Sequence, residues 1–386
     1  MSDDGMPTAP FDFTPRTRIL FQPGGLKQLG ECTRELGGRR VLLVTDHGLE
    51  EAGHPQRALE ILRAAGLEVI LFDEVRSDPT TADVERGLAV ARDARIDFLV
   101  GLGGGSMDCA KGINFLLTNG GRMEDYMGFG KAQNPMLPMI AVPTTSGTGS
   151  EAQSFAIIAR ESDHMKMACG DPKAACRIAI LDPELTISMP PRVTAATGID
   201  ALSHALESHV TNRRNSISTL FSREAWQLLS RAFPRVLENP RDIDARGEML
   251  LGAHWAGMAI ENSMLGAAHA CANPLSAHLG MIHGVAVGLM LPHVIRYNAT
   301  VADSYYSQLV NISGLPRDPD RSDSSVLADY VQNLFERADL LPDLSRVDRS
   351  LVPTLAAEAV EQWTGKCNPR PVDKSQFEEL YRCVLA

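Results

Sequence analysis

A predicted strand gives way to a predicted helix within the stretch Val100-Gly-Leu-Gly-Gly-Gly-Ser-Met-Asp-Cys-Ala-Lys111. A glycine-rich turn at such a junction can hold a pyrophosphate, because backbone amides and the helix dipole face the anion. Alone it is weak support, since many such loops are only tight turns. A second loop, Pro143-Thr-Thr-Ser-Gly-Thr-Gly-Ser-Glu151, follows another predicted strand and is rich in small and hydroxyl residues. Two such loops at the carboxyl ends of parallel strands indicate one nucleotide-binding crevice.

Apolar, β-rich runs alternate with amphipathic helical stretches on both sides of these loops. The runs span residues 40–45, 67–72, 96–100, 138–142 and 178–181, with helical periodicity at 49–65 and 80–94. This alternation predicts a parallel α/β sheet. After Pro190-Pro191 the strand signals vanish, and residues 216–236 and 244–262 have a helical pattern throughout. We therefore expect a dinucleotide-binding α/β domain at 1–187 and an all-α domain at 188–386.

Composition narrows the class of protein. A chain of 386 residues is long enough for two domains, and a net charge of -11 argues against nucleic acid as a partner. The longest apolar stretch, Gly284 to Leu291, is too short to cross a bilayer, so we expect no membrane partner. The start, Met1 to Pro7, lacks the pattern of a signal peptide, and the seven cysteines form no Cys-x-x-Cys pair. These features favour a cytoplasmic protein with reduced thiols.

One carboxylate and three imidazoles have spacings that suit a divalent metal. Asp200 and His204 lie at i and i+4, so one helix directs both side chains to one point. His269 and His283 are separated by fourteen positions, which an unbroken helix would place roughly 21 Å apart. The helix must therefore break between them. Pro274, Gly280 and Gly284 offer the means, because proline ends helical hydrogen bonding and glycine tolerates turn angles.

The position of an acidic residue bears on which dinucleotide is bound. No complete G-x-G-x-x-G motif is present, and an acid for the adenosine ribose could be Asp46, or Glu124 and Asp125. Asp46 ends the first predicted strand, whereas the other two lie downstream of the glycine-rich loop. If Asp46 faces the ribose, it repels a 2′-phosphate and favours NAD over NADP.

Seven blocks of sequence occur together in an order typical of one family. They are Val44-Thr-Asp-His-Gly-Leu49, Gly103-Gly-Gly-Ser106 with Asp108-Cys-Ala-Lys111, Pro143 to Gly149, Asp182-Pro-Glu-Leu-Thr186, Thr194 to His204, Ala256-Gly-Met-Ala259 with Leu265-Gly266, and Asn368-Pro-Arg370. Through them the chain resembles the iron-containing, or group III, alcohol dehydrogenases over nearly its whole length. The resemblance implies a dehydroquinate synthase-like architecture, with an NAD(P)-binding α/β domain, a helical domain and a metal in the cleft between them.

The resemblance also assigns roles to residues. The family's metal ligands fall on Asp200, His204, His269 and His283, and its ribose-selecting aspartate falls on Asp46, which we prefer to Glu124 or Asp125. The remaining cofactor positions are Gly104, Gly105 and Ser106 in the phosphate loop, Thr144, Thr145 and Thr148 in the hydroxyl-rich loop, and Lys166 near the nicotinamide ribose. Affinity order alone favours Zn²⁺. Since the family points to iron, we expect NAD and one divalent metal, Fe²⁺ ahead of Zn²⁺.

Three departures from the family pattern stand out. Only Met107 separates Ser106 from Asp108, so the phosphate loop is one residue shorter and its contacts can shift by a position. The family's Asn-Pro-Thr is Asp78-Pro-Thr80. A histidine that many members carry near the metal, four residues after the third ligand, is Asn273 here. Asparagine can position a substrate oxygen or a water molecule, but it cannot titrate.

These features together predict an enzyme: a metal-dependent, NAD-linked dehydrogenase that transfers hydride between a small primary alcohol or diol and nicotinamide. We expect catalysis to involve the four ligands and Asn273, with His209 or His278 as a substitute proton carrier, and a homodimer or larger homo-oligomer. The alternatives are a hydroxyacid-oxoacid transhydrogenase, a lyase on the same NAD- and metal-using scaffold, and a non-catalytic binding protein that retains the fold.

Overall fold

The computed structural model describes residues 9–163 and 165–385. The N-terminal residues considered for a signal peptide, Met1 to Pro7, lie outside this part of the chain. The chain divides into two compact units. A sheet unit comprises Thr14–Thr145 and Ser150–Met189, and a helical unit comprises residues 9–13, Ser146–Gly149 and residues 190–385.

The strands of the described chain all lie in the sheet unit. They are Arg18–Phe21 (β1), Arg40–Val44 (β2), Glu68–Phe72 (β3), Phe98–Leu102 (β4), Gly128–Phe129 (β5), Met139–Val142 (β6), Phe155–Ala159 (β7), Lys166–Gly170 (β8) and Ile178–Leu181 (β9).

Among the described residues the main sheet has six strands in the order β1-β9-β6-β4-β2-β3, and every pairing is parallel. The central strands are apolar without alternation, as expected for a sheet covered on both faces, and Val41, Leu42, Leu99 and Val100 have no exposed surface. The predicted parallel α/β sheet is therefore confirmed. Its edge strand β1 was not predicted, and it pairs with β9 in the register Arg18 to Ile178.

Connections between the strands reverse direction at the centre of this sheet. From β2 the chain goes to β3 on one side, and it then crosses back to β4 on the other side of β2. Parallel sheets bind ligands outside the carboxyl ends of the strands at such a reversal. In this sheet the expected ligand-binding position is at the carboxyl ends of β2 and β4.

Helices of the sheet unit are Leu29–Glu35 (α1), His47–Glu50 (α2), His54–Ala64 (α3), Thr81–Asp93 (α4) and Gly105–Asn119 (α5). The stretch predicted as one helix at 49–65 is thus divided between α2 and α3. A smaller sheet, in the order β5-β8-β7, contains the antiparallel pair β7 and β8, in which Ala156 faces Cys169. The sequence pattern did not indicate this hairpin.

The helical unit has the helices Pro191–Val210 (α6), Ser216–Glu238 (α7), Ile243–Glu261 (α8), Ala267–Leu279 (α9), His283–Ser313 (α10), Asp323–Arg337 (α11), Val352–Glu361 (α12) and Lys374–Leu385 (α13). The described residues also contain short 3₁₀ helices at Gly25–Gln28, Met123–Tyr126, Ser150–Ala152, Pro172–Ala174, Pro183–Thr186, Arg349–Leu351 and Gly365–Cys367. The expected all-α second half is confirmed. None of the helices described here is both long and apolar enough to traverse a bilayer.

A single core joins most helices of this unit. Trp226, Phe233, Tyr306 and Tyr381 are fully buried in it. Burial of large apolar side chains is the main favourable term in such packing, worth about 1.5–3 kcal/mol for each. This core holds α6, α9 and α10 together, which are the helices that carry the predicted metal ligands.

The predicted break between His269 and His283 lies at Gly280. This residue caps the carboxyl end of α9 with φ 62°, a left-handed conformation that glycine adopts without steric cost. Pro274 and Gly284 do not provide the break, because Pro274 lies inside α9 and Gly284 lies inside α10. As a result His269 sits in the first turn of one helix and His283 begins the next.

Candidate metal centre and nucleotide-binding loops

Helix α6 supplies the first two predicted metal ligands. Asp200 and His204 are one turn apart on its buried side, and each residue is 6% exposed. The Nε2 atom of His204 lies 3.5 Å from Oδ1 of Asp200. Their i, i+4 spacing therefore brings carboxylate and imidazole together as the sequence predicts.

His269 and His283 reach the same carboxylate oxygen from α9 and α10. Oδ1 of Asp200 lies 3.5 Å from Nε2 of His269 and 3.9 Å from Nε2 of His283. Asp200, His269 and His283 offer donor atoms that all lie within 4.8 Å of one another. His204 stands beside this trio, with its ring stacked on that of His269 at a centroid distance of 4.9 Å.

The donor set fits a divalent cation. Oδ1 of Asp200 and Nε2 of His269 are buried and have no hydrogen-bond partner among the described residues, although the two atoms lie 3.5 Å apart. Buried polar atoms are rarely left in this state unless something else satisfies them. Carboxylate oxygen and imidazole nitrogen are ligands that Zn²⁺ and Fe²⁺ both accept.

Charges in this pocket are strongly coupled. Burial alone would raise the pKa of Asp200, but His204 and the other imidazoles outweigh it and hold that pKa below its ordinary value. Burial alone would lower the pKa of His269, whereas Asp200 and Glu207 raise it to about 9. Burial lowers the pKa of His204.

Glu207 contacts the predicted ligand His269 and was not identified from the sequence. Its carboxylate is 2% exposed, and Oε2 lies 2.6 Å from Nδ1 of His269. A signal was available, because Glu207 follows Asp200 and His204 at i+7 and thus continues the same helix face.

Asn273 lies on α9, one turn beyond His269. It is half-buried, and its side-chain amide donates a hydrogen bond of 2.8 Å to Oε1 of Gln362. The residue that replaces the family's extra histidine is therefore held by a neutral partner, and its catalytic role stays a prediction.

The two histidines considered as substitute proton carriers have other partners. His209 is fully buried, its Nδ1 lies 3.0 Å from Oγ of Ser222, and burial lowers its pKa to about 3. His278 lies at the other extreme, exposed and 2.8 Å from the carboxylate of Glu358. The low pKa of His209 makes it a poor proton acceptor near neutral pH.

In the sheet unit, Asp46 and the phosphate loop meet at the reversal point of the sheet. Asp46 follows β2, and Ser106 lies in the first turn of α5 after β4. The hydroxyl of Ser106 donates a 3.3 Å hydrogen bond to Oδ2 of Asp46. Burial raises the pKa of Asp46, and the bond from Ser106 opposes that shift. An acid and a glycine-rich helix start thus share the place where a dinucleotide is expected.

Two glycines of the phosphate loop lie close to neighbouring segments of the sheet unit. A Cβ atom on Gly105 would lie 2.4 Å from the backbone oxygen of Ser77, and one on Gly104 would lie 3.2 Å from Oγ1 of Thr145. A side chain at position 105 would collide with the backbone of Ser77, so close packing requires glycine there. Thr144, which precedes Thr145 in the chain, is also buried, with 2% of its surface exposed.

The hydroxyl-rich loop is divided between the units. Thr148 belongs to the segment Ser146–Gly149, which groups with the helical unit. A Cβ on Gly147 would meet Thr197 of α6 at 2.7 Å, and one on Gly149 would meet the backbone of Ala253 in α8 at 2.8 Å. Close packing of this kind explains why the segment needs glycine at both places.

Lys111 anchors the chain that follows this loop. The ammonium group has no exposed surface, and it donates hydrogen bonds to Ser150, Gln153 and Phe155 at 2.6 to 2.9 Å. Three of its four acceptors are backbone carbonyl oxygens. Lys111 therefore satisfies polar backbone that would otherwise be buried without partners.

Lys166 and the alternative acids have partners in the sheet unit. The Lys166 ammonium lies 2.9 Å from Oδ1 of Asp78, the residue that stands where the family has asparagine. Asp125 accepts a hydrogen bond from the backbone of Arg122, and Glu124 lies 3.6 Å from the same arginine's side chain. Asp46 is thus the candidate that lies at the strand ends.

Family models match both halves of the chain. The model described as "Iron-containing alcohol dehydrogenase" matches residues 15–183. The model described as "Fe-containing alcohol dehydrogenase family, C-terminal" matches residues 194–385. Together they cover nearly the whole sequence.

Individual relatives agree with these models. The chain is 34% identical to the NAD-dependent methanol dehydrogenase of Bacillus methanolicus over 97% of its length and 99% of that protein's. It is 33% identical to the 1,3-propanediol dehydrogenase of Klebsiella pneumoniae over 96% of its length and 98% of that protein's. A crystal structure of 1,3-propanediol oxidoreductase superposes with a TM-score of 0.93 at 31% identity, covering 97% of this chain and 100% of that one. The chain belongs to the iron-containing alcohol dehydrogenase family.

Proposed function

We propose that this protein is a metal-dependent, NAD-linked dehydrogenase that interconverts a small primary alcohol or diol and the corresponding aldehyde. The observation that carries the proposal is the meeting of Asp200, His269 and His283 within 4.8 Å of one another, with His204 beside them. The named relatives, which act on methanol and 1,3-propanediol, support the substrate class.

Asp200, His204, His269 and His283 would hold the metal. A divalent ion bound there supplies Lewis acidity that lowers the pKa of an alcohol hydroxyl, and NAD accepts the hydride. With one carboxylate among four ligands, the donor set leaves a net positive charge beside the substrate. Burial of Asp200 and His269 keeps water away from this charge, which strengthens its effect.

Asp46, Ser106 and the glycines at 104 and 105 would bind the adenosine ribose and the pyrophosphate. Their meeting at the reversal point of the sheet supports this assignment. The Asp46 carboxylate would select NAD by accepting hydrogen bonds from the ribose hydroxyls. Thr144, Thr145, Thr148 and Lys166 complete the proposed cofactor site.

The change of unit between Met189 and Pro190 supports domain limits of 1–187 and 188–386. The cysteines of the described residues are all free thiols, which supports a cytoplasmic location. A homodimer or larger homo-oligomer completes the proposal, and light scattering coupled to gel filtration tests it.

A metal-replacement assay tests the function. The protein is stripped with a chelator, reloaded with Fe²⁺ or Zn²⁺, and mixed with NAD⁺ and a series of small alcohols and diols. We expect NADH to accumulate with the alcohol alone, which neither a transhydrogenase nor a lyase would produce. Chelated protein that keeps full activity would overturn the proposal.

Variants sharpen this assay. His269→Ala and Asp200→Ala should lower kcat/KM by at least about a hundredfold, since several kcal/mol of charge stabilisation are lost. His293→Ala is the matched control, because His293 is a half-buried histidine of α10 with no proposed role at the metal. Equal metal content in all three variants would argue against the ligand assignment.

A further inference from the structure

Glu207 shares the buried face of α6 with two predicted metal ligands. Asp200, His204 and Glu207 lie at i, i+4 and i+7, a spacing that places all three on one side of a helix. The Glu207 carboxylate is 2% exposed and faces the start of α9. A buried carboxylate needs several hydrogen-bond donors, and the start of α9 provides them.

The first donors are backbone amides at the beginning of α9. Oε1 of Glu207 accepts a 2.7 Å hydrogen bond from the amide of Ala268, and Oε2 accepts a 3.1 Å bond from the amide of Gly266. Amides in the first turn of a helix have no partner within their own helix. Glu207 thus caps α9 from a neighbouring helix, where the helix dipole also favours a negative charge.

His269 provides the remaining donors, which are its backbone amide, 3.4 Å from Oε2 of Glu207, and its ring. Oε2 of Glu207 lies 2.6 Å from Nδ1 of that ring, a distance that requires the proton to be on Nδ1. Nε2 then points away from Glu207 and lies 3.5 Å from Oδ1 of Asp200. Since a histidine binds metal through a nitrogen that carries no proton, the Glu207 contact leaves Nε2 as the ligating atom.

We propose that Glu207 is a positioning residue for the metal centre. It holds His269 in the tautomer and orientation that present Nε2 beside Asp200, and it fixes the start of the helix on which that histidine sits. This inference rests on the proposed function, because it assumes that His269 binds the metal.

The space around the Glu207 carboxylate allows only glycine at position 266. A Cβ atom on Gly266 would lie 2.9 Å from Oε1 of Glu207 and 3.0 Å from Oδ1 of Asn368. Any side chain at position 266 would therefore push the carboxylate away from α9. Asn368 accepts a 3.3 Å hydrogen bond from the amide of Ala267, so it supports the same helix start without touching a predicted ligand.

Glu207→Gln distinguishes the ring of His269 from the backbone amides at the start of α9 among the donors to Glu207. The amide of Ala268 and Nδ1 of His269 both need an acceptor, and glutamine has one oxygen where glutamate has two. If its oxygen stays on Ala268, its NH₂ group faces Nδ1 and favours the tautomer with the proton on Nε2. Asn368→Ala is the control, since it removes a different acceptor from the same helix start.

The readout is Zn²⁺ affinity of the metal-free protein, measured by competition with a chromophoric chelator. Losing a residue that orients a ligand typically costs about 10- to 100-fold in metal affinity, so we expect a loss of that size for Glu207→Gln. We expect Asn368→Ala to bind Zn²⁺ as tightly as the parent protein does, even if its Tm falls by as much as that of Glu207→Gln. The visible spectrum of bound Co²⁺ gives a second readout, which should change only in Glu207→Gln.

The outcomes separate the two proposals. If the parent protein binds no Zn²⁺, both the proposed function and this inference are wrong. A parent protein that binds Zn²⁺, with Glu207→Gln equally tight, would overturn the inference alone, as would equal losses in both variants. If Glu207→Gln does not fold, Glu207→Asp takes its place. Its shorter carboxylate keeps both oxygens but cannot reach Ala268 and His269 together, so its affinity should also fall, and unchanged affinity would overturn the inference.

Discussion

Ser106 donates a 3.3 Å hydrogen bond to Asp46 across the two strand ends where the main sheet reverses its connections. This contact joins the helix start proposed for pyrophosphate to the acid proposed for the ribose. Replacing Asp46 by serine would remove the charge that repels a 2′-phosphate. We expect the ratio of kcat/KM for NADP⁺ to that for NAD⁺ to rise by at least about tenfold, or about 1.4 kcal/mol.

Glu124→Ala is the matched control for this change in cofactor preference. Glu124 is the other acid considered for the ribose, and it lies beside Arg122. Its removal should leave the NADP⁺ to NAD⁺ ratio unchanged. A shift in the Glu124 variant, with none in Asp46→Ser, would reverse the assignment.

Asp78 forms an ion pair with Lys166, the residue proposed to lie near the nicotinamide ribose. The two groups lie 2.9 Å apart, and the family's residue at position 78 is asparagine. Asp78→Asn should free the ammonium group for the nicotinamide ribose and lower KM for NAD⁺ by about two- to fivefold, the range for an exposed ion pair. Steady-state kinetics over a range of NAD⁺ concentrations provides the measurement.

Asp163→Asn controls for the loss of one negative charge. Asp163 is paired with Arg160 at 2.7 Å near the same hairpin. Its replacement should not alter KM for NAD⁺. A higher KM in Asp78→Asn would show that the ion pair helps to position Lys166.

Lys111 stabilises the chain after the hydroxyl-rich loop through bonds to three backbone carbonyl oxygens. Lys111→Met fills the space and removes every donor. Since a buried acceptor left unsatisfied costs about 1–3 kcal/mol, we expect the free energy of unfolding to fall by about 3–5 kcal/mol. Urea unfolding measures this change.

Ser150→Ala is the smaller perturbation in the same place. It removes one acceptor of Lys111 and the 2.9 Å hydrogen bond that Oγ of Ser150 donates to Oδ1 of Asp108, and it leaves the bonds from Lys111 to the backbone intact. We expect a loss of about 1 kcal/mol. Equal losses in the two variants would mean that the backbone bonds contribute little to stability.

His209 makes the folded state sensitive to acid. Burial lowers its pKa to about 3, whereas a histidine in the unfolded chain has a pKa of about 6.5. Between these values the unfolded chain binds a proton that the folded chain does not, so stability falls as the pH falls. His209→Asn should remove about 2 kcal/mol of the loss in unfolding free energy between pH 7 and pH 5.

Ser222→Ala separates this effect from the loss of a hydrogen bond. The variant keeps the histidine but removes its partner, 3.0 Å away. It should be less stable at both pH values and show the parent protein's difference between them. Urea unfolding at pH 7 and pH 5 tests both variants, and an unchanged pH difference in His209→Asn would refute the prediction.

Local patterns were sufficient for much of the fold. The central strands β4 and β6 are apolar throughout and β2 is apolar after Arg40, while α7 and α8 are long segments without strand signals, so each could be predicted from its own residues. Strand β1 could not, because it has four partly exposed residues and pairs with β9 far along the chain. The hairpin of β7 and β8 was also not predicted, because polar and apolar residues do not alternate clearly along its strands.

The metal centre shows the same division. Asp200 and His204 are one helical turn apart, so their meeting follows from helix geometry alone. His269 and His283 required a chain break, and sequence could offer three candidates but not choose among them. Packing of α9 and α10 places the break at Gly280 and keeps Pro274 inside a helix.

Local pattern and spacing were enough to predict the central strands, the long helices of the second half, the family, and candidate residues for a metal and a dinucleotide. Three contacts could not be predicted in this way: Glu207 with His269, Asp78 with Lys166, and Asp46 with Ser106. These contacts join residues far apart in the chain. Their formation depends on how whole helices and strands pack, which no local pattern encodes.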